Sequence, residues 1–133
     1  QIKLIPLQAH GDERGSLIAL EQDKNIPFPI KRVYYIFDTQ EGVTRGFHAH
    51  KELKQVAIAV KGSCRFLLDD GKEKVSFLLD NAAQGLLIES CIWREMSDFS
   101  EDCVLMVLAD NFYDESDYIR DYDEFLKIVK DKE

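Results

Sequence analysis

The sequence predicts an all-β fold, an antiparallel sandwich of short strands followed by one C-terminal α-helix. Three observations carry that reading. Short apolar runs rich in β-branched and aromatic residues recur between turn-forming residues, from Ile2–Leu7 to Val104–Leu108, the pattern of a sandwich or barrel. Asp70-Gly71 separates Phe66-Leu67-Leu68 from Val75-Ser76-Phe77-Leu78 as a hairpin turn does. Helical spacing appears in the tail, from Ser116, where Tyr118, Ile119, Tyr122, Phe125, Leu126 and Val129 recur.

Taken in order, Ile2–Leu7 reads as a first strand and His10–Gly15 as a turn-rich loop, with a second short strand over Ser16–Glu21. Pro27 and Pro29 bracket an extended connection. Arg32–Phe37 is strongly strand-like, because its aromatic and β-branched residues fit a pleated surface. Asp38–Gly42 is a turn, and a histidine-bearing segment follows. Gln55–Val60 is apolar enough to be a buried strand, and Ser63–Leu68, Gly85–Ile88 and Val104–Leu108 supply further strands. For the tail helix, Asp114 or Ser116 is the expected cap.

At 133 residues the chain is long enough for one domain, 1–133, with its own core. A net charge of -8 argues against a nucleic-acid or anionic-membrane binder, yet leaves room for a local basic pocket. No apolar run is long enough to cross a bilayer, and the first residues carry no signal-peptide core. Cys64, Cys91 and Cys103 are an odd number in apolar surroundings. They read as free thiols of a cytoplasmic protein.

The chemistry concentrates between Gly42 and Gly62. His48 and His50 are two residues apart, so in a strand both imidazoles face the same way. Arg45 precedes them and Lys51 and Lys54 follow, a basic cluster in an acidic chain. Two imidazoles alone make a poor site for zinc or iron, and Gln55 and Arg94 stand where further ligands would be wanted. We therefore expect no metal and no cofactor. Acid–base work is the chemistry left to the pair, with imidazoles near their ordinary pKa. Arg45 and Arg94 lie in apolar or aromatic company and could clamp a phosphate or diphosphate, for which a guanidinium fork is suited. Arg14, Arg32 and Arg65 are further basic candidates. Of adjacent Tyr34 and Tyr35, alternation sends one side chain inward and the other away.

The spacing Gly42, His48, His50, Gln55, Gly62 resembles the first motif of the cupin superfamily, with Gln55 where cupins usually place a Glu ligand. R-V-Y-Y-I-F-D at 32–38, R-G-F-H-A-H-K at 45–51, G-S-C-R-F-L-L-D-D-G at 62–71 and D-Y-I-R-D-Y-D-E-F at 117–125 narrow the resemblance. With D-E-R-G-S-L at 12–17, they are similar to the dTDP-4-dehydro-6-deoxyglucose 3,4-ketoisomerases, over nearly the whole chain.

That resemblance implies a metal-free cupin jelly roll acting on a dTDP-linked 4-keto-6-deoxyhexose and moving its keto group from C4 to C3. The product serves bacterial cell-surface glycans after amination and acetylation. It also implies a homodimer with exchanged N-terminal strands. By position, His50 is the expected base, His48 its partner on the sugar oxygens, and Tyr35 a contact to sugar or nucleotide. Arg45 and Arg65 are expected on the diphosphate, with Arg94, Arg14 and Lys51 as further substrate contacts. Members of the family often carry His where this chain has Arg94, and the family divides by product configuration at C4. Two other readings compete: a cupin 3,5-epimerase of nucleotide sugars, and a sugar-nucleotide-binding cupin without turnover.

Overall fold

The computed structural model describes residues 2–133. Twelve strands, a single-turn 3-10 helix and one α-helix follow in order. β1 (Leu4–Pro6), β9 (Gln84–Ile88), β6 (Gln55–Lys61), β11 (Val104–Ala109) and β4 (Arg32–Ile36) form one sheet in that spatial order. β12 (Tyr118–Ile119), β5 (Arg45–His50), β10 (Trp93–Ser97), β7 (Cys64–Asp69) and β8 (Lys74–Leu79) form the other. Every pairing within the two sheets is antiparallel. This is the expected jelly roll with a C-terminal helix.

Alternation builds the interior. Ala57, Ala59, Leu105 and Val107 from the first sheet meet Cys64, Phe66, Leu68 and Met96 from the second in one buried cluster. β6 is buried on both faces, which accounts for its unbroken apolar run. Its outward residues Val56 and Ile58 lie under Leu7, Ile26 and Phe28 of the N-terminal segment. On the second sheet, α1 (Tyr122–Asp131) seats Phe125 against Ala49, Trp93 and Ile119. The strand bearing the histidines is therefore covered on its outer side by the helix and opens inward.

Four local expectations are corrected. The loop over residues 10–15 is a hairpin, β2 (Ala9–Asp12) with β3 (Gly15–Ile18). The helix begins at Tyr122, capped by Asp121, whose side chain accepts from Asp123 N. Asp114 caps a 3-10 turn over Glu115–Asp117 instead, and Tyr118 and Ile119 are extended and pair with β5. β10 was not legible, because Trp93–Ser97 mixes charged with apolar residues, yet it lies between β5 and β7.

Candidate active site

The site is built on β5. Gly46 and Phe47 both have positive φ (95° and 58°), and the β5–β10 register slips there, with Arg94 opposite His48 and Glu95 opposite Gly46. Phe47 is thus the extra residue of a bulge. A Cβ on Gly46 would meet the Arg94 carbonyl oxygen at 2.8 Å, so glycine is what lets the two strands approach. Beyond the bulge, His48 and His50 share the inward face, with ring centroids 5.0 Å apart and nearly perpendicular planes. β12 lays Tyr118 opposite His50, and its ring lies 4.4 Å from His50 and 4.9 Å from His48.

Each imidazole has one nitrogen committed. His48 Nδ1 is 3.1 Å from the Gly46 carbonyl oxygen, and His50 Nδ1 is 3.2 Å from Asp117 Oδ2. A carbonyl and a carboxylate only accept, so Nδ1 carries the proton in both rings. Nε2 is left with its lone pair, and in His50 that atom is buried without a hydrogen-bond partner.

Arg94 lies beside them, 2 % exposed. Its Nη1 donates to Gln55 Oε1 and its Nη2 to the Ile92 carbonyl at 2.9 Å, while Gln55 Nε2 donates to Tyr34 Oη at 3.1 Å. Burial pushes the Arg94 pKa down to about 10, which leaves it cationic at neutral pH. That buried cation and desolvation hold both histidines neutral. Burial first and Arg94 second lower His48 to about 4 and His50 to about 2. The expectation of imidazoles near 6.5 is corrected accordingly.

A metal does not fit these residues. Where a cupin would offer carboxylate and imidazole, Gln55 is occupied by a guanidinium and its partner Arg94 carries the positive charge. Among the described residues no group of three or more His, Cys, Asp and Glu could hold a metal ion.

The cavity over His48 has a volume of about 460 Å³ and is lined by Arg32, Tyr34, Arg45, Tyr118 and Arg120 among others. Arg32 lies over the Tyr34 and Tyr113 rings at 5.3 and 5.7 Å from their centroids, and its Nε is buried without a partner. Arg120 lies over Tyr118 at 4.2 Å and is neutralised by Glu115, at 2.8 and 2.9 Å. Arg32 and Arg45 are in no ion pair among the described residues, so the mouth carries two uncompensated guanidiniums. A second cavity, about 210 Å³, reaches His50 between Arg32, Tyr118 and the acidic Asp110, Asp114 and Asp117.

The structure brings together His48, His50, Arg45 and Arg94 and separates the others. Tyr35 is 63 % exposed on the outer face of β4, beside Phe37, because alternation turns Tyr34 inward instead. Arg65 points outward between the inward Cys64 and Phe66, and contacts Ser76 and Asp98. Arg14 sits on the β2–β3 turn, paired with Asp12, in a cleft of its own. Lys51 is exposed and does not line either histidine cavity. Arg94 is sealed inside, so it tunes the imidazoles instead of clamping a diphosphate with Arg45. Asp117, Tyr118 and Tyr34 had not been singled out as site residues. For the first two, the signal is the D-Y-I-R-D-Y-D-E-F motif at 117–125, which carries the resemblance but which the sequence pattern reads as helical tail.

The fold defines a cupin-type jelly roll with two buried or half-buried imidazoles on its inner face. Comparison with known proteins is more specific. The profile of the FdtA family (WxcM-like, C-terminal) matches residues 1–130. The TDP-4-oxo-6-deoxy-alpha-D-glucose-3,4-oxoisomerase of Aneurinibacillus thermoaerophilus is 56% identical over 127 residues, covering 96% of this chain and 91% of that protein. A crystal structure of a 3,4-ketoisomerase from Helicobacter canadensis superposes with a TM-score of 0.94 at 53% identity, covering 97% of each chain. The QdtA 3,4-ketoisomerase of Thermoanaerobacterium thermosaccharolyticum, solved as a His-to-Asn mutant with TDP-4-keto-6-deoxyglucose, superposes at 0.96 with 43% identity, over 98% of this chain and 95% of that one. The chain belongs to the FdtA family, and it is an isomerase of the 3,4-ketoisomerase class.

Proposed function

We propose that this chain, acting as a single jelly-roll unit, converts a dTDP-linked 4-keto-6-deoxyhexose into its 3-keto isomer, with His50 as the carbon base. The observation that carries this reading is the pair of neutral imidazoles, each with Nδ1 committed, beneath a mouth of unpaired guanidiniums. His50 Nε2 takes the proton from C3. The electrons of that bond form the C3–C4 double bond, and the carbonyl pair moves onto O4. His48 relays the O3 proton to O4. Collapse of O3 to a carbonyl then returns an electron pair to C4, which takes the proton back from His50. The bond changes balance without any redox partner, so no cofactor is invoked. A base depressed to about 2 is weak in the empty site. The diphosphate and the developing enediolate bring negative charge that opposes Arg94 and raises its basicity. Arg45 and Arg32 are the groups that meet the diphosphate.

The product's 3-keto group suits amination, on the way to an amino sugar of cell-surface glycans. The chain works as a homodimer in this reading, supported by Val33, Tyr35 and Phe37 exposed along the outer face of β4. Among the described residues the β2–β3 hairpin pairs with no other strand and leaves Leu17 61 % exposed, and such a hairpin alone is marginal in water. Exchange of N-terminal strands between copies would cover it and is the route by which Arg14 meets a sugar. A monomer by sedimentation at micromolar concentration would remove this part. The unpaired cysteines and a nucleotide-sugar substrate favour the cytoplasm.

The test is direct. The protein is incubated with dTDP-4-keto-6-deoxyglucose in deuterated water and followed by NMR. A 3-keto product is expected, its C4 hydrogen carried over from C3 by His50 and replaced by deuterium only as far as the His50 proton exchanges with solvent. Exchange at C5 without a 3-keto product, or no turnover with intact binding, overturns the proposal. Loss of turnover in His50→Asn with retained dTDP affinity identifies the base.

A further inference from the structure

We propose that Asp117 is a positioning residue for this reaction: its carboxylate fixes the tautomer and the aim of His50. The inference rests on the reading of His50 as the carbon base. Asp117 Oδ2 lies 3.2 Å from His50 Nδ1, across 67 residues of sequence. The same carboxylate accepts from two backbone amides just past β5, Glu52 N at 3.0 Å and Leu53 N at 3.2 Å. Its own carbonyl accepts from Lys51 N at 2.9 Å. The carboxylate is therefore held from three sides and has little freedom to turn away. His50 is 1 % exposed, so the protein and not bulk solvent surrounds the ring.

The consequence is on the far side of the ring. With the proton pinned on Nδ1, Nε2 is left as an acceptor, and it is buried and unpaired. A buried nitrogen without a partner is costly, a cost that has a rationale if the atom awaits a proton from substrate. The groups facing the ring are Arg94 from β10, His48 from β5, Tyr118 from β12, Arg32 from β4 and Asp117. Of these only Asp117 accepts the Nδ1 proton. Without it nothing selects this tautomer, and a ring protonated on Nε2 cannot accept from carbon.

The experiment uses the full chain labelled with nitrogen-15 and long-range proton–nitrogen correlation of the imidazoles at neutral pH. His50 is assigned by its loss in His50→Asn. The wild type should show His50 protonated on Nδ1. Asp117→Asn should lose that preference, with kcat reduced at least about tenfold and at most by the ~10²–10⁴ expected of losing the base itself. Calorimetric dTDP affinity should stay within about twofold, and Asp117→Glu, which keeps a carboxylate, should recover part of kcat. Wild-type His50 protonated on Nε2 overturns the proposal. So does Asp117→Asn with unchanged tautomer and turnover, or a variant that loses dTDP affinity in step with turnover, which would mark a structural role alone. If His50→Asn keeps its turnover, the base assignment fails while the tautomer result stands separately.

Discussion

Acidification should destabilise this protein well above the pH at which its carboxylates titrate, and the two site histidines set the size of the effect. In the unfolded chain both have pKa values near 6.5. In the folded chain burial and Arg94 hold His48 at about 4 and His50 at about 2. Between these values the unfolded state binds more protons, so folding stability falls as pH falls through 6.5. At about pH 5 an unfolded histidine has gained roughly 1.5 pH units of proton binding, worth about 2 kcal/mol, that a native pKa below 5 does not match. The two together predict a loss of about 4 kcal/mol between about pH 7.5 and pH 5, a large share of a typical domain's stability. The assay is urea unfolding across that range at fixed protein concentration, on the wild type and on His50→Asn, which should show about half the loss. A wild-type stability that is flat from pH 7.5 to 5 would refute the reasoning, as would an undiminished loss in His50→Asn.

Other outcomes follow from the same geometry. Arg94→Met removes the second-largest cause of both depressions, so His48 and His50 should titrate at higher pH by ring-proton NMR; unmoved titrations would show that burial alone sets them. Arg45→Ala should weaken dTDP binding by calorimetry about tenfold or more, the scale of a lost charge-assisted contact, whereas Arg65→Ala should leave it within about twofold because Arg65 faces outward. Gly46→Ala should cost about 1–3 kcal/mol in urea unfolding, since it combines a strained φ with a 2.8 Å approach to the Arg94 carbonyl; a neutral result would mean the bulge relaxes.

The sheet strands whose residues alternate or run apolar were legible in sequence, and so was the histidine pair, because its spacing matches the strand period. What escaped notice has physical causes. β10 carries Arg94 and Glu95 inside a sheet, and Arg94 bonds to Gln55, a partner 39 residues away that no local pattern displays. Tyr118 and Ile119 fit the helical spacing of the tail equally well, and only pairing with β5 decides that they are extended. Tyr34 and Tyr35 could not be ranked without knowing which face of β4 meets the barrel. The histidine pKa values depend on the depth of Arg94, which a sequence read as a phosphate clamp does not convey.

The reach of Asp117 back to the loop after β5 also bears on how the protein is made. All strands of the two five-stranded sheets except β12 are synthesised before residue 117, and the contacts that complete the site span more than sixty residues. Such pairings form late, because loop closure costs entropy before the contact returns it. During refolding the bulk of the sheet signal should therefore appear ahead of activity, and a ribosome-bound chain not yet extended to residue 117 holds both imidazoles with nothing to orient His50.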